Sequence, residues 1–428
     1  MRDNESFGNR VNPSLQNTIT QETAAAPIAA TIDATPTGVR GGVISQALAL
    51  LALGHLTVDL YSSAVPTLQP LLTERFSLSL AQSGLLSGVF MLASAVMQLP
   101  FGVLCDRLNS RLFTVLTPLG AGFFLSSLPA AIGFKSLLLL VALGGMGVAA
   151  FHPQSTTQAA SVSKARRGLG VALFFSSGML GFGLGPAYFS LITTQMGFEW
   201  LFLGMTPAIV VSAILLARLP APSRREPSEI VGFDSHVPRA ARGPLALHYA
   251  LVVLRSVVQL GLGQFLTLYL YKERGFTFAQ ASFTLTLFFL SATAGALVGG
   301  NLADRLGGKR VVVASMIGSV PFLWLFLATQ GWVSLLSLFA GGLILLLTIP
   351  VNVVMAQRLV PSKAGTITAV MMGFAWGMVG ITCIPLIGWL ADRVGLETVL
   401  WGVVTTPLVG FLLAMRLPAE SRSPGRAD

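Results

Sequence analysis

The amino-acid sequence predicts an all-α integral membrane protein, with twelve transmembrane helices arranged as two pseudo-symmetric six-helix bundles. Three observations carry that prediction. The 428 residues are 53% hydrophobic and only 10% charged, where a soluble domain has about 25% charged residues. The apolar residues gather into runs close to the roughly 20 residues that span a bilayer. The basic residues between those runs are distributed very unevenly between alternate loops.

A soluble chain this apolar could not cover its own surface, so lipid must solvate much of it. The runs lie at about 43–69, 81–104, 112–133, 136–160, 168–194, 200–217, 245–271, 279–302, 311–329, 332–357, 365–390 and 398–416. With the N-terminus in the cytoplasm, 21 of the 27 Lys and Arg fall in cytoplasmic segments and 5 in outer ones, with Arg255 inside a run. Positive charge is retained on the cytoplasmic side. An odd number of crossings would reverse every later loop and destroy the pattern, so both termini are expected in the cytoplasm. The formal net charge of +10 lies in short segments between apolar runs, which excludes a nucleic-acid reading.

The chain therefore divides into a disordered cytoplasmic tail (1–42), a first bundle (43–217), a cytoplasmic linker (218–244), a second bundle (245–416) and a short cytoplasmic tail (417–428). The first tail is polar and rich in Thr, Ala, Asn and Pro. It lacks the basic stretch and apolar core of a signal peptide. The linker is rich in Arg, Pro and Ser, and it separates six runs from six. Cys105 and Cys383 sit at or inside apolar runs, with no Cys/His metal spacing, so neither a disulfide framework nor a metal site is expected. There is no Gly-Lys-Ser/Thr phosphate loop and no cofactor motif. Energy would then come from an ion gradient, and protons are favoured because the candidate groups titrate. No nucleophile–base constellation supports an enzyme, and the short polar tails offer no signalling domain for a receptor.

The two halves repeat. Gly102-Val-Leu-Cys-Asp106-Arg107-Leu returns 198 residues later as Gly300-Asn-Leu-Ala-Asp304-Arg305-Leu, and Ser163-Lys164-Ala165 returns after 199 as Ser362-Lys363-Ala364. Matches in the same order at nearly one offset point to a duplicated unit, and such repeats place a substrate site at their interface.

From about residue 43 onward the chain resembles the major facilitator superfamily. The signature loop Gly-x-x-x-Asp-Arg-x-Gly-x-Arg/Lys-Arg is met in full from Gly300 to Arg310. The first copy has Asn109 in place of the second Gly, a residue that also tolerates left-handed backbone angles. Gly388 to Gly395 is similar again, but the charge pattern puts it outside, so it is not counted as a third copy. Gly181-x-x-x-Gly185-Pro186 is similar to the fifth-helix motif of proton-coupled exporters, without that motif's later glycines. Gly54-His55, Asp59-Leu60-Tyr61, Phe151-His152-Pro153, Arg166-Arg167-Gly168 and Leu254-Arg255-Ser256 resemble fosmidomycin-resistance-type efflux proteins. The resemblance implies a monomeric transporter of the bacterial inner membrane that exports a small molecule or drug against protons. Uptake or facilitated transport of a native organic anion is the alternative. It also implies conformational gating by Gly102, Asp106, Arg107, Gly300, Asp304, Arg305, Gly181, Gly185 and Pro186. Charge pairs at neighbouring helix ends can latch one state, and closely spaced glycines permit close helix contact.

Asp59 is the single carboxylate well inside a run. A charge at mid-membrane costs roughly 3 kcal/mol, and protonation removes that cost, so Asp59 is expected to carry the coupling proton. His55 lies one turn earlier on the same face and can share it. Arg255 lies about as deep in the seventh run. Its permanently charged guanidinium must meet water, an acid or an anionic ligand. It either pairs with Asp59 in one state or holds a phosphonate, phosphate or carboxylate, with Gln259 one turn further on. His152, beside Pro153, is a second proton group, a substrate group or a cap for carbonyls freed by the bend. Each of these residues also has a plainer reading as helix packing.

Overall fold

The computed structural model describes residues 45–108, 110–163, 167–220 and 238–418. The predicted tail 1–42, residues 221–237 of the linker and residues 419–428 lie outside the described residues, as do Asn109, residues 164–166 and the side chain of Asp106.

The helices follow the apolar runs, and three of their breaks lie four residues before a proline. α1 (Gln46–Ser62) and α2 (Ala64–Phe76) form the first crossing, α3 (Leu80–Val96) and α4 (Gln98–Leu108) the second, and α5 (Leu112–Ser126) the third. α6 (Phe134–Val162), α7 (Arg167–Met196) and α8 (Thr206–Arg218) complete the first six, α8 being entered through a 3-10 segment, Phe198–Met205. α9 (Arg239–Glu273), α10 (Phe278–Leu306) and α11 (Gly308–Ala328) follow. α12 (Gly331–Leu346) with α13 (Thr348–Leu359) makes the tenth crossing. α14 (Ala364–Thr368), a π turn at Ala369–Phe374 and α15 (Ala375–Val394) make the eleventh, and α16 (Leu396–Met415) the twelfth.

Proline has no N–H for the carbonyl four residues earlier. Pro66, Pro100 and Pro350 therefore release the carbonyls of Ser62, Val96 and Leu346, and α1, α3 and α12 end at those three residues.

Among the described residues, eleven helical rods are long and apolar enough to cross a membrane, and Leu112–Ser126 is a shorter apolar helix that completes twelve. The third run was expected to reach 133. It stops at Ser126 and continues as a 3-10 turn at Leu128–Ala130, because Pro129 cannot extend the α-helical ladder. The first crossing runs past its expected end at 69 to Phe76, beyond Glu74 and Arg75. α9 likewise begins at Arg239, inside the segment read as linker. Leu99, Ile132 and Trp332 are more than two-thirds exposed, as expected where lipid is the solvent.

The duplicated sequence folds into duplicated contacts. Arg111 Nη1 donates to the Leu219 carbonyl just beyond α8 at 2.7 Å. Lys309 Nζ, 198 residues later, donates to the Leu417 carbonyl just beyond α16 at 2.5 Å. Each cation meets the negative end of the last helix of its half. Gly102 faces Pro153 of α6, and Gly300 faces Pro350 of α13.

Contacts between the halves lie toward the end away from the termini. Thr267 of α9 donates to the Pro66 carbonyl, Ser87 of α3 to Gln264 of α9, and the backbone N–H of Ala187 to Thr286 of α10. Asp392 of α15 accepts from the N–H groups of Leu80 and Ala81 at 2.8 and 2.9 Å. At the terminus-bearing end, by contrast, Ala241, Val252, Ala356, Val360, Ile367, Met371 and Ala375 form a separate cluster drawn entirely from the second half.

Candidate functional site

α1 presents His55 and Asp59 one turn apart toward α6 and α7. Their positions follow from the 3.6-residue period, which sets i and i+4 on one face. His55 Nε2 lies 3.2 Å from Asp59 Oδ2. α6, which carries Pro153 inside it, brings His152 Nε2 to 3.6 Å from Asp59 Oδ1. The imidazoles meet edge to face with centroids 5.1 Å apart. His55 is almost fully buried, while Asp59 and His152 keep 18% and 21% of their side-chain surface open.

The outer nitrogens fix the tautomers. His55 Nδ1 lies 2.8 Å from the Phe174 carbonyl and His152 Nδ1 2.9 Å from the Val148 carbonyl. A carbonyl can only accept, so Nδ1 carries the hydrogen in both rings. A neutral ring then turns a bare Nε2 lone pair toward the carboxylate, and two acceptors repel unless a proton lies between them. His55 Nε2 thus faces Asp59 Oδ2, and His152 Nε2 faces Oδ1 at the longer distance.

The surroundings keep this cluster compact. Phe174 stacks on His55 with centroids 4.2 Å apart, and Phe151 lies at 5.9 Å. Gly178 of α7 backs the pair. A β-carbon there would meet Asp59 Oδ2 at 2.6 Å and would overlap His55 Nε2 as well. Gly181 and Gly185 lie against the carbonyls of Leu56 and Leu60 in the same way. The two motif glycines thus join the first and fifth helices of one half, with Pro186 next in line. α7 reaches the other half through Gly183 and Ala187, against Leu290 and Thr286.

Arg255 sits elsewhere. It is 3% exposed, and Nη1 donates to Gln259 Oε1 at 2.8 Å while Nη2 donates to Ser256 Oγ at 3.0 Å. Its Nε has no hydrogen-bond partner, and no carboxylate pairs with it among the described residues. In this state Arg255 and Asp59 do not pair, so the predicted groups fall into two sites, Asp59–His55–His152 and Arg255–Gln259.

The Major Facilitator Superfamily model matches twice, at residues 50–271 and 249–428. The chain belongs to that superfamily. It is 30% identical over 374 residues to the fosmidomycin resistance protein of Escherichia coli (strain K12), covering 85% of this chain and 91% of that one. It is 23% identical over 392 residues to the D-galactonate transporter of Escherichia coli O6:H1, covering 82% and 90%. In fold it is similar to the inward-facing, occupied structure of a bacterial homologue of the human lysosomal transporter Spinster. That match has a TM-score of 0.71 and 16% identity, and covers 86% of this chain and 95% of that chain. The molecule is a transporter of the major facilitator type rather than an enzyme.

The remaining major facilitator motif residues sit at helix ends. Arg107, Asp304 and Arg305 are exposed, and Asp304 shares a crevice with Gly300, Pro350 and Arg358. Sequence reasoning missed three features. The Phe174 and Val148 carbonyls that set the tautomers carry no side-chain signal. The capping bonds of Arg111 and Lys309 were legible in the 198-residue offset. Asp392 belongs to the Gly388–Gly395 segment set aside as a motif copy, and it joins α15 to the N-terminus of α3.

Proposed function

We propose that this major facilitator protein is a secondary active transporter that exports a small organic compound or drug in exchange for protons. It works as a monomer in the bacterial inner membrane, with both termini in the cytoplasm. Residues 43–217 and 245–416 form the two bundles, which rock about a central cavity. The observation that carries the reading is the Asp59–His55–His152 cluster, whose tautomers make each contact to the carboxylate a place for a proton. With the cytoplasmic orientation argued from charge, contacts between the halves lie on the outer side and the pathway opens inward. Substrate then enters from the cytoplasm. After the halves rock, proton binding from outside favours substrate release, and proton loss inside resets the cycle.

A second reading is favoured by Arg255. A buried guanidinium that pairs with no carboxylate among the described residues suits an anionic ligand, and two relatives are named for fosmidomycin resistance and D-galactonate transport. Uptake or facilitated movement of an organic anion would use the same Arg255–Gln259 pair.

The test compares wild type with Asp59→Asn at matched membrane levels in a bacterium lacking its major pumps. Both are challenged with fosmidomycin, other small anions and apolar drugs. Protection by wild type alone is expected. Equal protection by both would remove Asp59 from the coupling step. Sensitisation by wild type to an anionic toxin would favour uptake.

A further inference from the structure

His55, Asp59 and His152 have a property that proton coupling does not require. One ligand atom from each lies within 4.8 Å of the others. We propose that these three side chains form a binding site for a transition-metal dication such as Zn2+, with two imidazole nitrogens and one carboxylate oxygen as ligands. The inference rests on ligand geometry alone, and it stands whether or not the same residues carry the coupling proton.

Four observations support it. Around a tetrahedral Zn2+ with bonds of about 2.0 Å, neighbouring ligand atoms lie about 3.3 Å apart. His55 Nε2 lies 3.2 Å from Asp59 Oδ2 and His152 Nε2 lies 3.6 Å from Oδ1, so each imidazole has one oxygen of the carboxylate near that edge. Both Nδ1–H groups donate to backbone carbonyls, the outer contact that orients metal-binding histidines and leaves Nε2 as the ligand. Asp59 and His152 retain open surface, which gives an ion an entry and leaves a fourth position for water. The donor set of two nitrogens and one oxygen suits transition metals, whereas Mg2+ and Ca2+ prefer oxygen-only cages. The ligands come from α1 and α6, so no local spacing in the sequence announces the site.

A bound dication occupies the lone pairs that would otherwise hold protons and ties α1 to α6. Metal and proton therefore exclude one another there.

The test uses the purified full-length chain in detergent, with any histidine tag removed and metal stripped by a chelator. Co2+ is titrated in and followed by its visible absorption. The expected result is one Co2+ per chain, displaced by Zn2+ but not by Mg2+, and at least about tenfold weaker binding in His152→Ala. His152 is the most open of the three, so this variant is the least exposed to folding failure, and His55→Ala provides a second deletion with size-exclusion as the check on integrity. Absence of a one-to-one Co2+ spectrum, or an unchanged titration in both variants, would overturn the site. Proton-driven flux in vesicles is measured separately. Co2+ binding without pH-driven flux would remove the coupling proposal and leave the metal site. Flux without Co2+ binding would do the reverse.

Discussion

The first and seventh crossings occupy equivalent places in the duplicated halves, yet they carry opposite chemistry. α1 brings an acid and an imidazole toward a second imidazole on α6, three groups that can each change charge with pH. α9 brings Arg255, which keeps its charge and, among the described residues, donates to the neutral Gln259 and Ser256. Around both, the framework repeats, with Arg111 and Lys309 on matching carbonyls and Gly102 and Gly300 against matching prolines. The difference teaches that duplication preserved the parts that hold helices together and let the membrane-centre groups diverge. One half is thereby suited to a variable charge and the other to a fixed one.

The comparison breaks most sharply at Asp59. Asp59→Asn keeps the shape and removes the variable charge, so proton-driven flux should vanish while the protein still reaches the membrane. Dye-reported pH changes in everted vesicles measure this, and coupled flux that survives the substitution would end the assignment of roles to the two halves. On the other side, Arg255→Lys keeps the fixed charge but loses the guanidinium fork. Losing one or two charge-assisted hydrogen bonds, roughly 1.5–3 kcal/mol, should weaken the apparent affinity for an anionic substrate by about tenfold or more. Neutral substrates should respond little, and equal losses for both classes would argue that Arg255 only packs helices.

Gly178 tests how tightly the variable-charge site is enclosed. Its added methyl in Gly178→Ala must displace the His55–Asp59 pair, and overpacking of this kind costs about 1–3 kcal/mol. A lower melting temperature in detergent together with impaired proton-driven flux is the expected outcome. A normal melting temperature would show that α7 can back away. Asp392→Asn acts on the contact between halves instead. A carboxylate at a helix N-terminus is worth about 0.3–1 kcal/mol, so the far end should open more often. Thiol labelling of a cysteine introduced beside Leu80 should accelerate by up to about fivefold at that energy.

Much of this architecture was legible in the sequence, and the exceptions have physical reasons. The twelve crossings follow from apolar run length, and the breaks at Ser62, Val96 and Leu346 follow from prolines four residues downstream. His55 and Asp59 could be paired because helical period is a local property. His152 could not be assigned to them, since its place depends on how α6 packs against α1. Arg255 was recognisable as a buried cation, but that no carboxylate among the described residues pairs with it is a fact about neighbouring helices. Gly178 has no side chain to mark it in the sequence, and only the backbone's approach to His55 ties it to the site. Asp392 lies in a recognisable motif whose meaning changes with depth. At the far end of α15 it reaches the N-terminus of a helix from the other half.

The smallest expected effect on transport gives the most direct test that the framework is duplicated. Arg111→Ala and Lys309→Ala each delete one cation and one hydrogen bond to the carbonyl after the last helix of a half. Neither residue touches the Asp59 or Arg255 groups. Each loss should cost about 1.5–3 kcal/mol at most, reduced where water reaches the pair. The two variants should lower the melting temperature by similar small amounts, leave the substrate profile unchanged, and add in the double variant, because distant independent sites are additive. A large effect from one and none from the other would mean that the halves share a fold without sharing the energetics that hold it. The contrast between Asp59 and Arg255 would then extend into the scaffold itself.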